Sequence, residues 1–230
     1  MKYIQKAAAP RAFTDWRARV RGTDKEKFGE LPAAEKAVLI NALMGEQGGL
    51  CAYTMRHSEE TSSHIEHIKP QTVCRAEQPG NDLDYQNLVA CFPREGMKSQ
   101  YRYGAQARGY WWNPPLFVTP LQPNCEARFR FNLYGEVAAL DGDAAAAETL
   151  KRLALDHKSL TEDRRRVIED FIYSEPLTVT AAQRWIAQVA QRKKDGQFIE
   201  FCIAIRHALE DYLKNLEKHR RKRAFAMRIR

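Results

Sequence analysis

The chain has 230 residues, 44% of them hydrophobic and 29% charged, which is the composition of an ordinary globular protein able to bury a sizeable core. No apolar run approaches the roughly 20 residues of a membrane-spanning helix, and the opening Met1-Lys2-Tyr3-Ile4-Gln5-Lys6 has no apolar signal-peptide centre, so a cytoplasmic location is expected. The five scattered cysteines argue against a secreted disulfide framework. Of the net charge of +8, the segment Lys214 to Arg230 carries +7, from eight Lys or Arg against one Glu. Such a tail suits phosphate binding by counterion release, and equally a solvated helix end or an acidic protein partner.

Residues 1–30 are polar and basic, with Pro10, Phe13 and Trp16 as anchors. Leu31 to Met44 has helical periodicity and is stopped by Gly48-Gly49. Leu50 to Met55 reads as a short strand, and His64 to Ile68 as a second one closed by Pro70. A polar loop from Gln71 to Asp82 follows, then Tyr85 to Phe92, whose apolar run fits strand or helix. Residues 99–125 are rich in aromatics and prolines, including Trp111-Trp112-Asn113-Pro114-Pro115, and are expected to be folded but irregular. Arg128 to Val137 alternates around Tyr134-Gly135 as a hairpin does. Helical patterns run over 144–155, 159–173, 178–193 and 197–219. Two regions are therefore expected, 1–143 and a helical 144–230 with its basic tail.

The stretch from Cys51 to Lys98 holds three of the six histidines, His57, His64 and His67. Its centre is Ser63-His64-Ile65-Glu66-His67-Ile68-Lys69-Pro70. Adjacent strand residues point to opposite faces, so Glu66 and His67 can share a site only if the strand ends or bends there, which Pro70 favours. Phosphodiester hydrolysis needs a base for water, charge neutralisation at the phosphate and help for the leaving oxygen. A near-neutral histidine can supply the first, and a divalent cation on hard oxygen ligands the others. An isolated Glu-His pair is more often a strand-end histidine beside a surface glutamate.

The surrounding order of residues resembles the HNH, or ββα-metal, nuclease family. Cys51-Ala52-Tyr53-Thr54 is followed by Glu66-His67-Ile68-Lys69-Pro70, then Asn87-Leu88, then Cys91-Phe92-Pro93-Arg94-Glu95-Gly96-Met97-Lys98. The resemblance implies an α+β fold with a ββα-metal finger within about 48–100 and a helical C-terminal half. It implies His67 as general base, Asn87 as the side chain that orients its imidazole, and Glu66 and Glu95 as ligands of Mg²⁺ or Mn²⁺. Lys98 matches the family's trailing lysine, and Lys69 and Lys98 are the expected nucleic-acid contacts. His64, on the same strand face as Glu66, is expected to support the catalytic pair. His57 falls in a turn, and His157, His207 and His219 fall among helices, where structural roles are the ordinary reading.

Thr54 and Arg94 stand where the family's zinc knuckle has its second cysteines. Cys51 and Cys91 alone cannot complete four ligands, so no structural zinc is expected and packing must replace it. The opening residues, Glu46 to Tyr53, the His64 to Pro70 core and Thr149-Leu150-Lys151-Arg152-Leu153-Ala154-Leu155-Asp156 further resemble the HNH nuclease subunits of retron and Septu antiphage systems. That resemblance implies an ABC-type or SMC-like ATPase partner and nucleic acid, DNA before RNA, as substrate. The competing expectation is a degenerate HNH module that binds nucleic acid or the ATPase without cutting.

Overall fold

A computed structural model of the chain describes residues 1–94, 96–97, 101–173 and 177–228, with side chains up to Lys218. The fold is α+β, with eight α-helices and two small antiparallel sheets among the described residues. No helix among those residues is long and apolar enough to cross a membrane.

The first sixty residues form a clamp. Helix α1 (Arg11–Val20) buries Phe13 and Trp16 against α2 (Ala33–Gln47), which contributes Leu39, Ile40 and Leu43. Pro32 lies at the N-cap of α2 rather than inside it, and Gly48 ends the helix in the left-handed conformation at φ 58°. The N-terminal residues are more deeply used than their polar composition suggests. Met1 and Ile4 are core residues, and the Lys6 ammonium sits 2.6 Å from Glu46 and 3.0 Å from the Leu88 carbonyl. Leu50 to Met55 is a tight loop, not a strand: Met55 N–H donates to Cys51 O, and Met55 adopts φ 63°. The near-continuous apolar run there reflects burial on all sides.

Strands β1 (His64–His67) and β2 (Leu88–Cys91) pair antiparallel, with Glu66 opposite Val89 and His67 opposite Leu88. The far edge of β2 is covered. The Gln47 side chain accepts from Ala90 N–H at 2.7 Å and donates to Ala90 O at 2.8 Å, and Ala52 N–H donates to the same carbonyl. Between the strands, the expected loop contains helix α3 (Gln71–Glu77), whose turns follow directly from Pro70. At seven residues with Cys74 as its one buried side chain, it is too short to show periodicity.

The aromatic segment is folded and mainly irregular, with one short helix, α4 (Ala105–Arg108). Trp111 and Trp112 pack edge-on against Phe117 at 5.1 and 6.1 Å. Strands β3 (Phe129–Phe131) and β4 (Val137–Ala139) form the expected hairpin. Gly135 in its turn is obligatory, because a Cβ there would lie 2.4 Å from Thr161 O.

Helices α5 (Ala144–Arg152), α6 (Lys158–Tyr173), α7 (Val179–Gln188) and α8 (Cys202–Arg228) complete the chain. The last begins later than its periodicity predicts because Phe201 takes φ 53°, and it continues through the basic tail. Arg164 of α6 is buried and donates to Gly135 O and Leu155 O, binding helix to hairpin. The main apolar cluster joins Met1, Tyr53, Val89 and Phe117 with Ala146, Ile168 and Leu209, so one core runs across residue 143.

Candidate active site

β1 ends at His67, and Glu66 and His67 line one cleft of ≈500 Å³ together with His64, Arg75, Gln106, Arg108 and Tyr110. The strand end thus resolves the opposite-face problem that adjacent residues pose.

His67 is 4% exposed. Its Nε2 lies 2.9 Å from the backbone oxygen of Asp82, and the Phe28 ring meets the imidazole edge-on at 4.6 Å. A carbonyl oxygen only accepts, so Nε2 carries the proton and Nδ1 is the basic nitrogen. Burial, with help from the Arg108 charge, lowers the imidazole pKa against the opposing pull of the Asp82 carbonyl and Glu66, which favours the neutral form. Asp82 is itself fully buried. Its carboxylate accepts from Phe28 N–H at 3.1 Å and faces Arg75 at 3.8 Å, so the loop that presents the carbonyl is held from two sides.

Glu66 is met by Arg108 and His64. Arg108 Nη2 lies 2.7 Å from Glu66 Oε1, yet that buried oxygen has no aligned hydrogen bond, so the contact is one of charge. His64 Nδ1 donates to Pro93 O at 2.7 Å, and its Nε2 faces Glu66 Oε2 at 3.8 Å. Burial opposes charge on His64, but Glu66 and the Pro93 carbonyl outweigh it and raise the pKa. His64 thus faces Glu66 from the same side of the strand.

Asn87 does not reach the imidazole. Its Oδ1 accepts from Lys69 N–H at 2.8 Å and its Nδ2 donates to Lys69 O at 2.9 Å. It pins the chain two residues beyond His67, and the Asp82 carbonyl orients the ring instead. The Lys69 ammonium is paired with Glu77 of α3. Glu95 and Lys98, the expected second ligand and second nucleic-acid contact, lie outside the described residues.

Arg108 is the residue that motif reading missed. It is 5% exposed, and besides Glu66 it donates to His67 O and Ile68 O, each at 2.6 Å. No local signal marks it, since it lies about forty residues from its partners in the aromatic segment. A second cleft of ≈440 Å³ adjoins the first through His64 and Ile65 and adds Lys36 and Arg94.

The knuckle positions are packed. Cys51 and Cys91 are buried, Phe92 N–H donates to Cys51 Sγ at 3.3 Å, and the aromatic rings of Tyr53 and Phe117 lie beside them in the core. All five cysteines are free and buried.

A divalent ion fits the cleft in one respect: Glu66 brings a carboxylate to the cleft wall, its Oε1 facing Arg108 without an aligned hydrogen bond, and the Gln106 amide and His64 line the same walls. Among the described residues, no three His, Cys, Asp or Glu side chains converge as a ready ligand cluster.

No family model matches the chain. The chain is 26% identical over 143 residues to the "Retron Vc95 putative HNH endonuclease" of Vibrio cholerae serotype O1 biovar El Tor, covering 60% of this chain and 67% of that protein, a likeness that supports an HNH-type endonuclease.

Proposed function

We propose that the chain is a metal-dependent endonuclease whose ββα unit, within about 48–100, is built on β1 and β2, and in which His67 is the general base. The observation that carries this reading is the imidazole itself: Nε2–H is committed to the Asp82 carbonyl, which leaves Nδ1 free to act as a base, on a residue that lines a cleft also holding a carboxylate. His67 Nδ1 takes the proton of the attacking water, the water oxygen bonds to phosphorus, and one P–O ester bond breaks. Glu66, with Gln106 and His64 beside it, would hold a divalent ion such as Mg²⁺ or Mn²⁺. When bound, that ion supplies charge neutralisation at the phosphate and stabilises the leaving oxygen. Arg108 holds the backbone of His67 in place while Asn87 holds that of Lys69. Lys36, Arg75 and Arg94 on the cleft walls offer cations to the neighbouring phosphates. The likeness to a retron protein supports a retron-type antiphage setting; a Septu-like variant of it and an ABC or SMC-like ATPase partner are part of the proposal and rest on the motif resemblance alone.

The Glu66–Arg108 pair favours a second reading, a module that binds nucleic acid without cutting, because a carboxylate already neutralised is a weaker cation ligand. Incubating the protein with plasmid DNA and with RNA, with Mg²⁺, Mn²⁺ or EDTA, separates the two. Cation-dependent cleavage that His67→Ala reduces about 10²- to 10⁴-fold is expected. Undiminished cleavage by that variant removes His67 as the base, and binding without cleavage selects the second reading.

A further inference from the structure

Tyr110 lies on the wall of the His67 cleft and is 89% exposed, more than any other large hydrophobic side chain described as exposed. Among the described residues its ring meets no other ring and its hydroxyl makes no hydrogen bond. Leaving an aromatic of this size in water forgoes the burial that the neighbouring Trp111 obtains against Phe117.

The mount beneath it is fixed. Trp111 N–H donates to Arg108 O at 3.1 Å, closing a turn with Gly109 and Tyr110 at its tip. Gly109 takes φ 53° and ψ −130°, a conformation that favours glycine and aims the next residue outward. One shoulder of the turn, Arg108, is tied to the carbonyls of His67 and Ile68. The other, Trp111, is packed into the aromatic cluster. Rigid support, one free aromatic face and a shared wall with the catalytic histidine are the parts of a stacking platform.

We propose that Tyr110 stacks on an unpaired nucleobase of the substrate strand next to the phosphate held at His67. The proposal rests on the nuclease reading and specifies its substrate as a strand with at least one base free of its partner. Every base has a π face, so the contact selects for an unpaired base and not for a particular one.

The test is binding of fluorescently labelled oligonucleotides to the full chain in EDTA, single-stranded and blunt duplex, of mixed sequence. Because Tyr110 is exposed, its variants are expected to fold. Tyr110→Ala should weaken single-strand binding about tenfold, while Tyr110→Phe and Tyr110→Trp stay within about twofold of the parent. The salt dependence should keep its slope, since no phosphate contact is lost. Duplex binding should change less than twofold. Equal single-strand binding by Tyr110→Ala, or equal losses on single strand and duplex, overturns the proposal. If the native chain cuts nothing while Tyr110→Ala still loses single strands, the nuclease reading fails and the platform stands. If it cuts and Tyr110→Ala binds as the parent does, the platform alone fails.

Discussion

Arg108 Nη2 lies 2.7 Å from Glu66 Oε1, and the same guanidinium donates to the carbonyls of His67 and Ile68. A single buried cation thereby holds the end of β1 and sets how much of the Glu66 charge is available to anything else. Arg108→Met is expected to destabilise the chain by about 3–5 kcal/mol, because it strands a buried carboxylate and two carbonyls. Arg108→Lys, which keeps the charge but loses the planar fork, should fall between. Glu66→Gln leaves the buried guanidinium its two carbonyl acceptors but not its counter-charge, so it should melt below the parent by less than Arg108→Met, and lose cation-dependent cleavage. Thermal melts read all three and the nuclease assay the last. An Arg108→Met melt unchanged from the parent would show that the pair contributes nothing to the strand end.

The purified chain is expected to carry no stoichiometric zinc. Thr54 and Arg94 leave the knuckle two thiolates short of four ligands, and Cys51 already accepts from Phe92 N–H inside a packed core. Elemental analysis after dialysis tests this, and one zinc per chain would mean that other side chains complete the site.

His207 should make the fold acid-sensitive. Its Nδ1 accepts from Phe131 N–H at 3.3 Å, and burial, then Arg130, lowers its pKa to about 4, with Arg206 adding to the effect and Glu210 and Asp211 opposing it. The unfolded chain takes up the proton near pH 6.5, its ordinary value. Between that pH and about 4 the unfolded state binds a proton that the folded state refuses, so stability is full above the window and falls as pH drops through it. The loss is roughly 3 kcal/mol at most. His207→Gln should flatten the melting temperature over this range relative to the parent. Parallel curves for the two proteins would assign the acid sensitivity elsewhere.

Truncation after Leu213 addresses the basic tail. Tyr212 and Leu213 pack on the main core, and the Tyr212 hydroxyl reaches Leu177 O, so the cut falls where the helix leaves the body. The fold is expected to survive. If the tail grips nucleic acid, DNA binding weakens with a shallower salt slope while ATPase association persists. If it grips the ATPase, co-purification is lost and DNA binding remains. No change in either assay makes the tail solvated surface.

Several features were settled by local sequence. Ala33–Gln47 is helical because its apolar spacing and Gly48 dictate it, the β3–β4 hairpin follows from alternation around Gly135, and the strand with Glu66-His67 ends where Pro70 requires. These signals act within a few residues, so the chain displays them. The α+β class came instead from the resemblance to ββα-metal nucleases.

What only the tertiary structure decided lies in contacts between distant segments. Leu50 to Met55 looks like a strand, but the Gln47 side chain takes both backbone groups of Ala90 on the edge of β2 that it would need, and the segment closes into a turn from Met55 N–H to Cys51 O. Asn87 looks like the partner of an imidazole, but it binds the Lys69 backbone, and the ring takes its orientation from the carbonyl of Asp82. A backbone oxygen carries no side-chain identity, so no motif could announce it. Arg108 meets Glu66 across 42 residues, and its sequence neighbours give no reason to single it out from the other arginines. The candidate acid-base residues are local in this sequence, whereas the groups that orient them are assembled by folding.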